Sequence, residues 1–338
     1  MKLNSQQIKK IIFGAIRIEE DNGLIKPLRF TSEQQEYYNN TREDFYLKTF
    51  TSAGMKLEFK TDSKTLFLDV LTGKPITRSY FSYDIFVDGE MIGNIDNYSN
   101  VELPEPYTIA ELPTGEYSKE FLLGDGMKRV TIYLPWSVST SIKEISLDDG
   151  AKFIPTEKPR KKIIAWGDSI TQGYDALRPS NRYMSRLADK IGAEEFSKAI
   201  GGEKFAPELI RLQDDLNPDY VIVAYGTNDW CVYDEETVTA NCREFYKIVS
   251  NKYPNAKIFA ITPIWRKDLL EENECGPFEN IEKIIRDATD SLNNVTVIKG
   301  FDFVPKHEKY YADYRLHPND DGFGYYADSL YEAIKDML

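Results

Sequence analysis

The chain has 338 residues, long enough for two domains, and its 41% hydrophobic and 29% charged residues are ordinary for a globular protein. A net charge of −13, from 55 acidic against 42 basic residues, argues against a nucleic-acid surface or an anionic bilayer, since both draw on clustered Lys and Arg. Three cysteines without C-x-x-C spacing and only two histidines speak against a disulfide framework and against a zinc site.

The first 40 residues are mixed in pattern. The run Ile11–Ile16 is short and is followed at once by Glu19, Glu20 and Asp21, so it reads as neither a secretion signal nor a membrane span, which needs about 20 apolar residues. With free thiols, this leads us to expect a cytoplasmic protein. A short helix is expected over Ser32–Tyr38, entered at Thr31 or Ser32. From about residue 45 to 150 the pattern alternates with a period of two, as in Met55-Leu57-Phe59, Leu66-Leu68-Val70 and Val130-Ile132-Leu134. Asp88-Gly89 between Tyr83–Val87 and Glu90–Ile95 predicts a tight hairpin. Short strands without convincing helices between them predict an antiparallel β-sandwich or jelly roll over residues 1–155.

Residues 156–162 are polar, contain Pro159 and read as a linker. Over 163–338 the pattern changes. Short apolar runs at Ile163–Trp166, Tyr220–Tyr225, Ile258–Ile261 and Val295–Ile298 read as buried parallel strands, with a weaker strand near Glu194–Ser197. Helical windows fall between them, at about 179–191, 205–215, 235–251 and 277–292. A closing helix over about 320–337 places Phe323, Ala327, Leu330 and Ile334 on one face. This alternation predicts an α/β domain with a parallel sheet covered on both faces.

Four short pieces of this second half carry chemistry: Gly167-Asp168-Ser169 after the first strand, Gly201-Gly202, Gly226-Thr227-Asn228-Asp229, and His317-Pro318-Asn319 before the last helix. Taken singly, each also reads as a turn or a helix cap. Nucleotide-binding glycine loops, the H-E-x-x-H zinc motif and the G-x-S-x-G elbow are absent from the sequence. A serine hydroxyl is a weak nucleophile until a base takes its proton, and at neutral pH that base is a histidine: His307 or His317.

In their order and spacing the four pieces resemble the blocks of the SGNH (GDSL) hydrolases, a family of serine esterases. The resemblance implies a three-layer, flavodoxin-like domain of sheet order 2-1-3-4-5, in which the loops bearing Ser169, Gly202 and Asn228 meet where the strand order reverses. It implies Ser169 as nucleophile and His317 as base, His317 lying just before the last helix as the family's histidine does; His307 then reads as a loop residue. It implies an oxyanion hole from the backbone N–H of Ser169, the backbone N–H of Gly202 and the Asn228 side chain. The family's acid lies three residues before the histidine. Here that residue is Tyr314, and Asp313 lies four before. Two readings stay open: Asp313 as a shifted acid, or a Ser–His dyad.

In the second block, Ser197 stands where the family carries asparagine, and either Gly201 or Gly202 could donate; Gly202, followed by Glu203, fits the pattern better. Asp168 and Asp229 are expected to hold turn N–H groups. Trp230 and Arg266 are candidates to line the substrate pocket. A sandwich preceding such a domain is similar to the two-domain carbohydrate acetyl esterases. That implies an O-acyl ester, foremost an O-acetyl ester of a carbohydrate, small molecule or oligosaccharide, as substrate, with no metal or organic cofactor required; the charge already speaks against a nucleic-acid or membrane partner. A lipid or thioester hydrolase, or a sugar-binding protein on an esterase scaffold, are the alternatives; the oligomeric state is not legible.

Overall fold

The alternating segment forms two antiparallel sheets in the computed structural model, which describes residues 1–76 and 78–338. In chain order the N-terminal part comprises helix α1 (Ser5–Lys10), strands β1 (Ile12–Phe13), β2 (Arg17–Asp21) and β3 (Leu24–Leu28), helices α2 (Ser32–Thr41) and α3 (Glu43–Lys48), then strands β4 (Lys56–Thr61), β5 (Thr65–Thr72), β6 (Ser82–Val87), β7 (Glu90–Asp96), β8 (Glu116–Leu122), β9 (Lys128–Tyr133), β10 (Thr140–Leu147) and β11 (Phe153–Pro155). One sheet runs β2-β3-β10-β5-β8; the other runs β1-β4-β9-β6-β7, with β11 on β4. Leu57, Ile85, Val130 and Ile132 of one sheet share a core with Leu66, Leu68, Val70, Ile142 and Ile145 of the other, which makes the pair a sandwich. Each such side chain, fully buried, contributes about 1.5–3 kcal/mol.

The hairpin is as expected: Val87 pairs with Glu90, and Asp88 and Gly89 take φ +51° and +92°. Alternation fails at Glu58, which is buried on the sheet's outer face. That face is covered by the second half: Lys56 beside it pairs with Asp189 at 2.8 Å.

Thr31 caps α2 with a reciprocal Gln34 box, so the sequence signal for the helix start was sound, but the helix runs on to Thr41. The short helix α3 was not anticipated. Arg17 of β2 donates to Gln35 of α2, but the buried aromatic side chains of the two helices do not enter the sandwich core. Phe30, Tyr38 and Phe45 instead join a core with Trp166, Phe196 and Phe205 of the second half. Residues of about 30–45 thus belong, by packing, with the parallel sheet.

That sheet comprises β12 (Lys161–Gly167), β13 (Ala193–Ser197), β14 (Tyr220–Ala224), β15 (Lys257–Ile261) and β16 (Val295–Ile298), in the order β13-β12-β14-β15-β16 and parallel throughout. β12 takes in Lys161 and Lys162, the end of the expected linker, which pair with Ala193 and Glu194. Successive residues point to opposite faces. Ile164, Trp166, Val221, Val223 and Ile258 enter one core, and Ile163, Ala165, Tyr220, Ile222 and Phe259 the other. Since both faces are buried, the strands read as unbroken apolar runs. The helices are α4 (Ser169–Gln172), α5 (Tyr183–Ile191), α6 (Pro207–Arg211), α7 (Thr227–Val232), α8 (Glu235–Lys252), α9 (Asn280–Thr289) and α10 (Asp320–Ile334). Among the described residues no helix is long and apolar enough to cross a membrane.

Candidate active site

β12 delivers its last residue, Gly167, to the carboxyl edge of the sheet. Asp168 turns the chain there, its Oδ1 accepting the Ile170 N–H at 2.9 Å, and α4 opens on Ser169. Burial pushes the Asp168 carboxyl up to about 6, against the pull of that N–H. Asp229 does the same work in the third block. Its carboxylate accepts the N–H groups of Phe205 and Gly226 at 3.1 Å each, and burial pushes it up to about 7. Both aspartates hold turns.

Parallel pairing continues beyond β13. Lys198 N–H donates to Ala165 and Ile200 N–H to Gly167, drawing Gly201-Gly202 alongside Ser169. Gly201 is fully engaged: its N–H donates to Gln172 Oε1 at 2.8 Å and its carbonyl accepts Lys48 Nζ at 2.8 Å. A Cβ there would sit 2.5 Å from Tyr174 Cζ. Gly202 is half-buried at φ +90°, a conformation that favours glycine. Asn228, in the first turn of α7, donates from Nδ2 to the Glu203 carbonyl at 3.1 Å, which fixes its amide beside the Gly202 turn. The Glu203 carboxyl, pushed up by burial, accepts the Tyr38 hydroxyl of α2 at 2.8 Å.

His317 precedes α10. Its Nε2 lies 2.8 Å from Ser169 Oγ and its Nδ1 lies 2.8 Å from Asp313 Oδ2. The one-residue excess over the family spacing is absorbed at Tyr314, which takes φ +57°. In that tight loop Asp313 Oδ1 accepts the N–H groups of Arg315, Leu316 and His317 at 3.0, 2.7 and 3.0 Å. Burial pushes the Asp313 carboxyl up, but the hydrogen bond and charge of His317 and the loop N–H groups outweigh it and hold it far below the usual carboxylate range. Ser169 is 5% exposed and the His317 side chain 12%. His307 stands apart and exposed, capping the turn Glu308–Tyr310.

Two expected pocket residues lie elsewhere. Trp230 is 1% exposed, with Nε1 donating to the Gly276 carbonyl at 2.8 Å and its ring edge-on to Phe278. Arg266, 2% exposed, lies over the Trp230 ring at 4.9 Å, pairs with Asp268 and donates to the Thr227 carbonyl. Their polar atoms are spent inside the protein, so they brace α7 and do not wall a pocket.

Sequence reasoning missed Asp175, whose Oδ2 lies 3.3 Å from His317 Nδ1. Its one signal was position, six residues after the serine. Asp175, Asp313 and His317 bring one ligand atom each within 4.8 Å of one another, the grouping among the described residues that could hold a cation. The fit is poor: the Asp175 oxygens are already taken by Arg78 and Tyr80, and those of Asp313 by loop N–H groups and His317.

Of the three comparisons with known proteins, the one with curated proteins found no match. The sequence pattern described as the GDSL-like Lipase/Acylhydrolase family matches residues 165–324. Among solved structures, the chain is similar to the salicylyl-acyltransferase SsfX3 from a tetracycline biosynthetic pathway, with TM-score 0.79 and 21% identity over 96% of this chain and 94% of that one. It is similar to a GDSL-like lipase of Bacteroides ovatus, at TM-score 0.77 and 19% identity over 100% and 98%. It is also similar to a family two carbohydrate esterase of Clostridium thermocellum solved with cellohexaose, at TM-score 0.68 and 14% identity over 97% and 99%. At such identities these likenesses establish the fold, sandwich included. Residues 165–324 carry the pattern of the GDSL-like lipase/acylhydrolase family, and that match supports acyl ester hydrolysis as the chemistry of this part of the chain.

Proposed function

We propose that the chain is a serine esterase that removes O-acetyl groups from a carbohydrate through an acyl-Ser169 intermediate. The observation that carries this reading is the continuous relay from Ser169 Oγ through His317 to Asp313, with 2.8 Å at each step. His317 Nε2 takes the proton of Ser169 as Oγ attacks the ester carbonyl. The negative charge that develops on the carbonyl oxygen is met by the N–H groups of Ser169 and Gly202 and by Asn228 Nδ2. Gly202, not Gly201, fits the donor role, because the Gly201 N–H is committed to Gln172. As the tetrahedral adduct collapses to acyl-Ser169, His317 gives the proton to the leaving sugar oxygen. A water then gives a proton to the same nitrogen as its oxygen attacks the acyl carbon, and His317 returns that proton to Ser169 Oγ as the acyl–Oγ bond breaks and acetate leaves. Asp313 fixes the imidazole with Nδ1 protonated.

The sugar part of the reading draws on likeness across the whole chain to carbohydrate esterases that share the preceding sandwich. A second reading, transfer of the acyl group to an alcohol other than water, draws on the likeness to the salicylyl-acyltransferase.

The first test is a fluorophosphonate ester with intact-mass readout, on wild type and Ser169→Ala. One stoichiometric adduct absent from the variant is expected, followed by acetate release from acetylated sugars. Adduct formation with a preference for long-chain model esters would redirect the reading to lipids. Sugar binding with no adduct would redirect it to a non-catalytic lectin-like role. Acyl transfer outcompeting hydrolysis when alcohols are added would favour the second reading.

A further inference from the structure

We propose that Asp175 is a second positioning carboxylate for His317, held in place by Arg78 and Tyr80, so that the N-terminal sandwich completes the active site. This inference rests on the serine-esterase reading above.

Asp175 is fully buried, and its backbone takes φ +72°. A buried carboxylate needs hydrogen bonds and a countercharge. Both come from the other half of the chain. Arg78 grips it with Nε to Oδ1 at 2.6 Å and Nη2 to Oδ2 at 3.1 Å, and the Tyr80 hydroxyl donates to Oδ1. The neighbouring backbone is held from the same side. The Tyr107 hydroxyl donates to the Asp175 carbonyl at 2.5 Å, Trp136 Nε1 to Ala176 at 2.8 Å, and the Tyr98 hydroxyl to Leu177 at 3.1 Å. A segment that begins six residues after the nucleophile is therefore fixed by four aromatic side chains and one arginine of the N-terminal part.

The result is directional. Arg78 bonds both oxygens of Asp175, and Oδ2 also faces His317 Nδ1 at 3.3 Å, next to Asp313 Oδ2 at 2.8 Å. The ion pair presents its negative end to the imidazole. When His317 takes the serine proton, the resulting cation meets two carboxylates. The groups facing the ring are Asp313, Asp175, the Ser169 hydroxyl and the tilted Tyr174 ring at 5.7 Å, with the buried Asp168 also acting through its charge. Tyr174 in turn packs on Trp136, so the ring's outer wall is also fixed by the sandwich.

The test compares Asp175→Asn, Asp313→Asn and their combination in the full-length protein, following kcat/KM against pH and the rate of fluorophosphonate labelling. Asparagine matches aspartate in shape and tolerates the left-handed backbone. Asp175→Asn is expected to lose about 10-fold in kcat/KM, with the acidic limb of the profile moved to lower pH because one stabiliser of the imidazolium is gone. Asp313→Asn is expected to lose well under the roughly 10⁴-fold seen where a sole acid is replaced, and the double variant to lose more than the product of the two. If Asp175→Asn unfolds, Arg78→Gln, at a partly exposed side chain, reads the same contact and should lower kcat/KM in the same sense. Folded variants whose rate and acidic limb stay within twofold of wild type overturn the proposal. Labelling separates the two levels: loss in Ser169→Ala with Asp175→Asn unaffected removes only the role of Asp175, whereas labelling that survives Ser169→Ala removes both readings.

Discussion

Replacing Asn228 by alanine should lower kcat about 10²–10³-fold and leave the fold in place. The amide nitrogen carries two hydrogens. One is held by the Glu203 carbonyl at 3.1 Å, which orients the group, and the other is left for charge that develops on the substrate. Such a preorganised donor is worth about 2.7–4 kcal/mol in the transition state and little in the ground state, so KM should hardly move. The structural cost is one side-chain to backbone hydrogen bond at a half-buried site, about 0.5–1.5 kcal/mol, and a melting point lower by a few degrees. Asn228→Asp should be worse than alanine. It keeps the volume but turns an acceptor toward both the Glu203 carbonyl and the incoming oxyanion. The assay is steady-state hydrolysis of 4-nitrophenyl acetate with thermal unfolding of each variant in parallel. A folded Asn228→Ala enzyme within threefold of wild-type kcat would refute the reasoning, because the developing charge would then be met elsewhere.

Arg29→Met should destabilise by about 3–5 kcal/mol in denaturant titration, since fully buried Arg29 satisfies the carbonyls of Lys48, Thr51, Ser197 and Ala199; a loss under 1 kcal/mol would show that waters replace it. Gly202→Ala should cost about 1–2 kcal/mol in stability through its φ of +90° alone, since its added Cβ meets Phe45 only at ordinary contact, and at least tenfold in kcat/KM as relief of that backbone strain shifts the N–H; unchanged activity would count against Gly202 as a donor. Melting temperature should fall between pH 5 and pH 8. Burial raises the folded carboxyls of Asp168 and Asp229 to about 6 and about 7, so the stability they contribute is full below the unfolded value near 3.9 and fades as pH climbs through the folded values. Asp313, depressed, acts oppositely: its contribution is present above about 3.9 and is lost as pH falls through its folded value. A melting temperature that rises from pH 5 to 8 would contradict the assignment for the two buried turn aspartates.

What the sequence could and could not yield follows from the range of the interactions. Strand and helix positions in the second half were legible because both faces of the sheet are buried, which leaves apolar runs such as Tyr220–Ala224 between amphipathic helices. That the serine, the glycine pair and the asparagine each follow a strand was legible because a strand end is a local event, whereas their roles came only with the resemblance of the four pieces taken together. The acid was ambiguous for a local reason too. Here a left-handed Tyr314 lets an aspartate four residues away reach Nδ1, and nothing in the residue type tyrosine announces that backbone. The pocket expectation for Trp230 failed because position after a motif does not tell inward from outward: α7 turns this ring onto Phe278. The destination of α2 and α3 was hidden for the same reason, since a cap at Thr31 sets where a helix starts and not which core receives Tyr38 and Phe45. Furthest from legibility is the contact of Arg78 with Asp175, 97 positions apart, made of single charged residues with no period. Charges paired across two halves of a chain leave no pattern in either half, and it is through such pairs that the sandwich reaches the histidine.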